Sequence, residues 1–470
     1  MPEIQRQLAA FIEGSATADL PDDVLDQAKR SLADTAAVAV AGTRSDLATP
    51  IARYLSGTSG AYAVLGTQIR TSADRAALAN GALAHALDFD DTVSAMPGHP
   101  GGVILPALLA ALGQEPRSGN ELLRAFVTGY EVATKFGAAI GSGHYNRGWH
   151  STGTIGVFGA CAAVAALLRL DREQIAAALG IAASMASGLR VNFGTMTKPL
   201  HSGWAASAGL TAATLAASGY TGLAAALDGK GGFFDVYGTA ESTPESFIES
   251  LGAPYTLASP GISIKKYPCC FAMHRTIDAL ERMRAAGILG DPERVRSAGV
   301  HVPPGTLKPL PYTRPVTGLQ GKFSMEYALA VGVHDGDFGL SAFTDEAVRR
   351  PEIKEVIERT FVVEDPECSP GDPDGRRASA GTRGFVDVRI ELTNGERHRL
   401  QVRHAPGSPA RPLSWASLRE KFFACTEYGR LPAEHARAAL DLIEGLTEVA
   451  DVSRLVTHLA PVAEVADAVA

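Results

Sequence analysis

Up to about residue 260, apolar side chains recur at helical spacing, and no alternating segment of any strength interrupts them. That restricts the first half of the chain to helices packed on helices. Residues 20–42 open on Pro21-Asp22-Asp23, a helix-start signal, and continue through Val24, Leu25, Ala28, Leu32 and Thr35. Residues 119–137 repeat the pattern with Leu122, Leu123, Phe126, Val127 and Tyr130. Further helices are expected over 72–88, 101–113, 152–168, 173–188 and 202–218. The chain holds 49 glycines and only 7% aromatic residues, so its helices can approach closely.

Beyond residue 260 the texture changes. Pro303, Pro304, Pro309, Pro311 and Pro315 punctuate a loop-rich stretch, and short β-type runs occupy 296–302 and 359–364. Residues 384–404 alternate on both sides of Asn394-Gly395, the strongest short-range hairpin signal. Residues 366–383, rich in Pro, Gly, Asp, Ser and Arg, read as a mobile loop. Helical patterning returns after residue 411. A length of 470 residues allows about three domains, but the pattern divides the chain into two. One is a large helical domain of 1–264 completed by 406–470. The other is a smaller α+β domain of 265–405. The fold class is therefore mainly α.

The net charge of −8, with no Lys/Arg run, excludes a nucleic-acid partner. The apolar runs at 36–42 and 103–113 are too short to span a bilayer, and the N-terminus MPEIQRQLAAFIEG is not a signal peptide. Five cysteines without a C-x-x-C pair argue against a disulfide framework and fit a reducing, cytoplasmic setting. Phosphate-loop, G-x-S-x-G and H-E-x-x-H patterns are absent, and no cysteine spacing suits an iron–sulfur cluster.

Four clusters carry the candidate chemistry. In HALDFDDTVSAMPGHPGG (85–102), Asp88 and Asp91 stand one helical turn apart and are expected to share a face, with Asp90 pointing elsewhere and His99 in a Gly/Pro-bounded loop. The acids fit a Mg²⁺ site, an acid that orients a catalytic histidine, or a helix end with solvated carboxylates. In GHYNRGWHSTGTIGVFGA (143–160), Ser151 or Thr152 is expected to cap the next helix. His150 then lies beside a helix N-terminus, where an anion can bind and a neutral imidazole can act as a base; the plainer reading is a histidine packed in a turn. In TMTKPLHSGWAASAG (195–209), Lys198 precedes Pro199 in a loop near His201 and can clamp a carboxylate, or be a surface lysine. SIKKYPCCFAMHRTIDA (263–279) gathers Lys265, Lys266, Cys269, Cys270 and His274. Adjacent cysteines do not easily serve one tetrahedral ion and more often pack in a core.

Taken in order, HALDFDDT, HPGGVILPALLA, GYEV, GWHSTGTIGVFGA, ALGIAASMASGL, MTKPLHSGWAA, GYTG, KKYPCCFAMHRTIDA and GKFSMEYALA resemble the MmgE/PrpD family over about residues 25–330. That family includes 2-methylcitrate dehydratases, cis-aconitate decarboxylases and an iminodisuccinate epimerase. The resemblance implies a large all-helical domain with a smaller α+β lid, a homodimer, and no metal or organic cofactor. Its decarboxylase branch assigns active-site positions to Asp88, Thr92, His99, His150, Lys198, Lys265 and Tyr327, with the His99 loop one residue longer here. Cys270 stands where the decarboxylases carry a histidine, and His274 is the nearest replacement imidazole.

The chemistry implied is removal or delivery of a proton on carbon next to a carboxylate. His99 and His150 are the expected acid and base, their assignment left open. Lys198 and Lys265 are expected to hold substrate carboxylates and developing charge. Asp88 is expected to fix a histidine tautomer, and Tyr327 to donate to a leaving group. Thr92, His201, Cys270 and His274 join Asp88 as expected substrate contacts. The expected activity is a cofactor-independent lyase on a small di- or tricarboxylate, of the 2-methylcitrate dehydratase type. Alternatives are a cis-aconitate decarboxylase, an epimerase, and, last, a non-catalytic polycarboxylate-binding protein.

Overall fold

The structure is a computed structural model and describes residues 3–113, 116–371 and 383–461. Two compact units divide the chain. The first comprises the chain up to Leu189, Pro199–Ile262 and the residues from Ser414; the second comprises Arg190–Lys198 and Ser263–Leu413.

The first unit is built from helices with legible starts. Asp22–Gly42 begins after Pro21 with Asp22 and Asp23 in its first turn, where carboxylates favour the positive end of the helix dipole. Gly119–Ile140 starts at a reciprocal Ser118/Glu121 capping box, and Arg172–Met185 at an Asp171/Gln174 one. Gly156–Leu167 is buried at every position, so it is the central helix. Small residues let backbones touch around it. A methyl group on Gly129 would lie 2.5 Å from the Gly159 carbonyl oxygen, and one on Gly209 would lie 2.7 Å from the Cys161 nitrogen. Phe136, Phe158 and Phe234 stack at 4.5–4.8 Å, with Phe233 and Phe247 beside them. Each fully buried ring of this kind is worth about 1.5–3 kcal/mol.

The second unit holds a four-stranded sheet in the order Thr360–Glu364, Val295–Val302, Val386–Leu392, Arg397–Val402. The first pair is parallel and the other two are antiparallel. The last two strands form the hairpin expected at Asn394-Gly395, where Gly395 takes φ 91° at no steric cost. Helices His274–Ala285 and Met325–His334 pack against the sheet. Of the segment expected to be a mobile loop, Pro366–Cys368 forms a short 3-10 turn, and 372–382 lies outside the described residues.

Three helix expectations need correction. The helix expected over 72–88 is Ala73–His85, because Asp88 adopts φ 51° and turns the chain away. The helix expected over 152–168 divides at Ile155 into Ser151–Thr154 and Gly156–Leu167. Lys198 is not in a loop. It lies in the first turn of Thr197–Ala217, where Pro199 is tolerated because the first helical N–H groups have no partner within the helix. Among the described residues, no helix is long and apolar enough to cross a membrane.

Candidate active site

In the first unit, four imidazoles gather around one turn. The helix Ala73–His85 ends on His85, and the left-handed conformation at Asp88 folds Asp90 and Asp91 back beneath it. Asp88 and Asp91 therefore do not share a helical face. Nor are the acids solvated: Asp88 is 3% exposed, and Asp90 and Asp91 are fully buried. Asp90, expected to point elsewhere, lies in the middle of the cluster. Its two oxygens are 2.9 and 3.0 Å from His85 Nδ1, and Oδ1 is 3.4 Å from His99 Nδ1. Burial pushes the Asp90 carboxyl upward, but the His85 and His99 rings outweigh it and hold the group far below the usual carboxylate range.

Asp91 serves the framework. It accepts from Ser31 Oγ and Tyr130 OH, both at 2.9 Å, and from the Gly101 backbone N–H at 3.0 Å. Burial and the nearby Asp34 and Asp90 charges nevertheless raise it to about 7. Glycines are required where these acids meet the next helix. A methyl on Gly101 would lie 2.5 Å from Asp91 Oδ1, and one on Gly102 would lie 2.7 Å from Asp90 Oδ2.

His99 has a defined tautomer. Its Nδ1 lies 2.9 Å from the Asp91 carbonyl oxygen, which can only accept, so Nδ1 carries the proton. The neutral ring then presents a lone pair at Nε2, 3.9 Å from Asp88 Oδ1. The loop is pinned from both ends. Thr92 Oγ1 donates to the Gly98 carbonyl at 3.0 Å, and the His99 backbone N–H donates to Thr152 Oγ1 at 3.2 Å.

His150 is itself the residue that precedes Ser151–Thr154, and neither Ser151 nor Thr152 caps that turn through its side chain. Its Nδ1 is 2.9 Å from His201 Nδ1, so one of the two donates and the other accepts. The His85 ring lies 4.3 Å from the His99 ring and 5.9 Å from the His150 ring, which links His99, His85, His150 and His201 in one row. Behind His150, buried His144 donates from Nδ1 to the Tyr237 carbonyl and accepts at Nε2 from Thr154 Oγ1 at 2.7 Å. Burial lowers its pKa to about 4, consistent with a neutral ring.

Metal binding fits this donor set poorly. His85, Asp90 and His99 place one potential ligand atom each within 4.8 Å of one another. In their hydrogen bonds to the Asp90 carboxylate and the Asp91 carbonyl, His85 Nδ1 and His99 Nδ1 must donate at 2.9 Å, whereas an ion at those atoms requires lone pairs. For the Mg²⁺ reading of Asp88 and Asp91, three protein donors already compete for the Asp91 carboxylate.

The second unit holds the lysines. Lys198 is 4% exposed, and its Nζ lies 5.1 Å from the centres of both the Phe193 and Phe323 rings. Tyr312, which the motifs did not single out, secures this segment by donating to the Phe193 carbonyl at 2.8 Å. Lys265 is fully buried. The KKYPCC turn is braced by Lys322: its Nζ donates to the Pro268 carbonyl at 2.7 Å, and its own carbonyl accepts from the Cys270 N–H at 3.0 Å. Cys270 is half-buried and Cys269 is core. His274 is buried between the Tyr267 and Phe271 rings and reaches the Cys269 carbonyl through Nε2 at 3.3 Å. That enclosure makes it a brace of the turn. The Tyr327 hydroxyl is buried and donates to the Ala342 carbonyl, which commits the proton expected for a leaving group.

Residues 6–245 match the MmgE/PrpD N-terminal domain, and residues 267–448 match the MmgE/PrpD C-terminal domain. A cis-aconitate decarboxylase of Aspergillus terreus is 30% identical over 97% of this chain and 96% of its own length. The Homo sapiens cis-aconitate decarboxylase is 26% identical over 98% and 95%. A 2-methylcitrate dehydratase of Salmonella typhimurium is 26% identical over 71% of each chain.

Proposed function

This chain belongs to the MmgE/PrpD family, and we propose that it is a lyase that moves a proton next to a carboxylate of a small tricarboxylate. The observation that carries the reading is the His99 ring, fixed as the Nδ1–H tautomer by the Asp91 carbonyl. Such a ring can take or return a proton at Nε2 without being reoriented. His150, coupled to His201 at 2.9 Å, is the second proton carrier. Buried Lys198 and Lys265 are the cations to hold substrate carboxylates and to stabilise the electron pair left on carbon. Asp88 accompanies His99 Nε2, and Thr92 fixes the loop that presents it.

Decarboxylation of a cis-aconitate-like acid is the first reaction to try, because relatives so named match nearly the whole chain. Carbon–carbon cleavage would release CO₂, leave its electron pair conjugated to a remaining carboxylate, and end with protonation by an imidazolium. Dehydration is the second reading, favoured by the match to a 2-methylcitrate dehydratase. There a histidine would remove the proton next to the carboxylate and hydroxide would leave. The cofactor-free and homodimeric character implied by the resemblance belongs to the same proposal. So does a cytoplasmic setting, which suits five free cysteines.

The test is NMR in D₂O with citrate, 2-methylcitrate, cis-aconitate, malate and iminodisuccinate. The expected result is CO₂ loss with deuterium entering the product, or alkene formation. Deuterium entry with inversion and no loss would mean epimerisation and overturn the lyase assignment. Binding without exchange for every compound would overturn enzymatic turnover on this substrate class. Activity abolished by EDTA and restored by Mg²⁺ would overturn the cofactor-free reading.

A further inference from the structure

We infer that His85 and Asp90 form a positioning dyad that gives the histidine row a fixed internal counter-charge. The inference rests on the proton-transfer reading above. Asp90 is fully buried and lies against two imidazoles, with His85 Nδ1 at 2.9 and 3.0 Å and His99 Nδ1 at 3.4 Å. A buried carboxylate is tolerated only when donors or a cation face it, and here His85 Nδ1–H donates to Asp90 while His99 Nδ1–H, which donates to the Asp91 carbonyl, lies 3.4 Å away. When His99 takes a proton at Nε2 its ring becomes cationic. Asp90, in contact with the same ring through Nδ1, is already in place to balance that charge. The catalytic ring therefore gains a counter-ion with no movement of the protein, which is the condition under which electrostatic stabilisation is most effective.

His85 holds this anion. Its Nδ1–H faces both Asp90 oxygens, while its ring packs against the rings of His99 at 4.3 Å and His150 at 5.9 Å. Losing His85 would leave Asp90 free to rotate and would open the space between the two proposed proton carriers. On the other side of the His99 ring, Asp88 Oδ1 lies 3.9 Å from Nε2, while the remaining charged groups beside the row have their own partners. Lys421 pairs with Asp34 and donates to the Phe89 carbonyl, and Asp91 accepts from Ser31, Tyr130 and Gly101. One proton travels between substrate carbon and His99 Nε2. The dyad neither gains nor loses a proton in the cycle.

The experiment compares Asp90→Asn, His85→Ala and His85→Asn in the full chain. Asparagine at 85 retains an N–H donor near the position of Nδ1, so it is the conservative variant. Asp90→Asn and His85→Ala should each lower kcat by at least roughly a hundredfold, with KM changed by less than about threefold. His85→Asn should recover most of the loss. Equal loss in His85→Asn and His85→Ala, or a loss confined to KM, would overturn the dyad. A second measurement needs no substrate: ¹⁵N NMR of histidine-labelled protein. His85 and His99 should both show a protonated Nδ1, and the His85 signal should shift in Asp90→Asn. An unprotonated His85 Nδ1 in the folded wild type would overturn the dyad even if no compound is turned over, whereas absence of turnover with the NMR signature intact would count against the proposed reaction alone.

Discussion

Asp91 shows how one carboxyl can connect the site to stability. Its side chain accepts three hydrogen bonds, yet burial and the charges of Asp34 and Asp90 raise it from 3.8 to about 7. The folded chain therefore binds this proton more tightly than the unfolded chain. The stabilisation is complete below about pH 4 and is lost as pH rises toward 7. The difference corresponds to something on the order of 4 kcal/mol. Asp91→Asn removes the titration while an amide can still bridge hydroxyl and N–H partners. Urea unfolding between about pH 4.5 and 7.5 should show the wild type losing stability relative to Asp91→Asn as pH rises. Parallel curves would reject the raised carboxyl. At this scale the motifs were partly legible. His99 and His150 were drawn from two separate motifs, and the structure links their rings through His85. His85 and Asp90 escaped because helical spacing was extended three residues too far. One left-handed residue, Asp88, redirects the chain and changes which acids meet which rings, and periodicity carries no signal for that turn.

At the scale of elements, the site depends on how closely helices cross. The helices Ala73–His85 and Thr197–Ala217 carry His85 and His201, and they meet at glycines. A methyl on Gly203 would lie 2.1 Å from the Leu78 carbonyl oxygen and 2.9 Å from the Ala82 nitrogen. These are backbone atoms, so the helices themselves must separate. Gly203→Ala should cost about 1–3 kcal/mol and lower activity by displacing both histidines. Gly14→Ala is the control, because nothing lies within 4 Å of a methyl there. It should stabilise its exposed helix position by up to about 1 kcal/mol. Thermal unfolding of the two variants checks both signs; a Gly203→Ala variant as stable as wild type would show that the crossing can relax. The same elements show what sequence carries well. Asn394-Gly395 declared a hairpin because its local chemistry is self-contained, whereas the Ser118/Glu121 capping box that starts Gly119–Ile140 lay one residue outside the apolar pattern. Lys198-Pro199 misled because proline usually ends a helix, and its tolerance in the first turn leaves the residue just before it readable as loop.

At the scale of the molecule, a chain with net charge −8 still leaves a group of large apolar side chains in water on its helical unit. Leu200 and Trp204 are one turn apart on Thr197–Ala217 and are 41% and 44% exposed; Tyr220, Leu223 and Val236 are 56–71% exposed. Trp204 Nε1 reaches the Met185 carbonyl at 3.2 Å. Met185 in turn lines, with Tyr220, Leu223 and Val236, a recess of about 970 Å³. Single exposed apolar residues are ordinary, whereas a recess with Tyr220, Leu223 and Val236 on its lining, joined to Trp204 through Met185, is the kind of surface that a partner can cover. The proposed homodimer would supply an occupant, since a two-fold axis lets one apolar patch cover itself. Trp204→Glu combined with Leu223→Glu would place four like charges in such an interface, two from each copy. Light scattering after size exclusion should give a dimer for the wild type and a monomer for the double variant, with circular dichroism unchanged. A wild type that stays monomeric across the accessible concentration range would overturn the assignment. A double variant that stays dimeric would move the interface to another face. Because His201 lies on the same helix as Leu200 and Trp204, loss of the dimer should also reduce turnover, and the ratio of the two effects measures how far that helix depends on its partner.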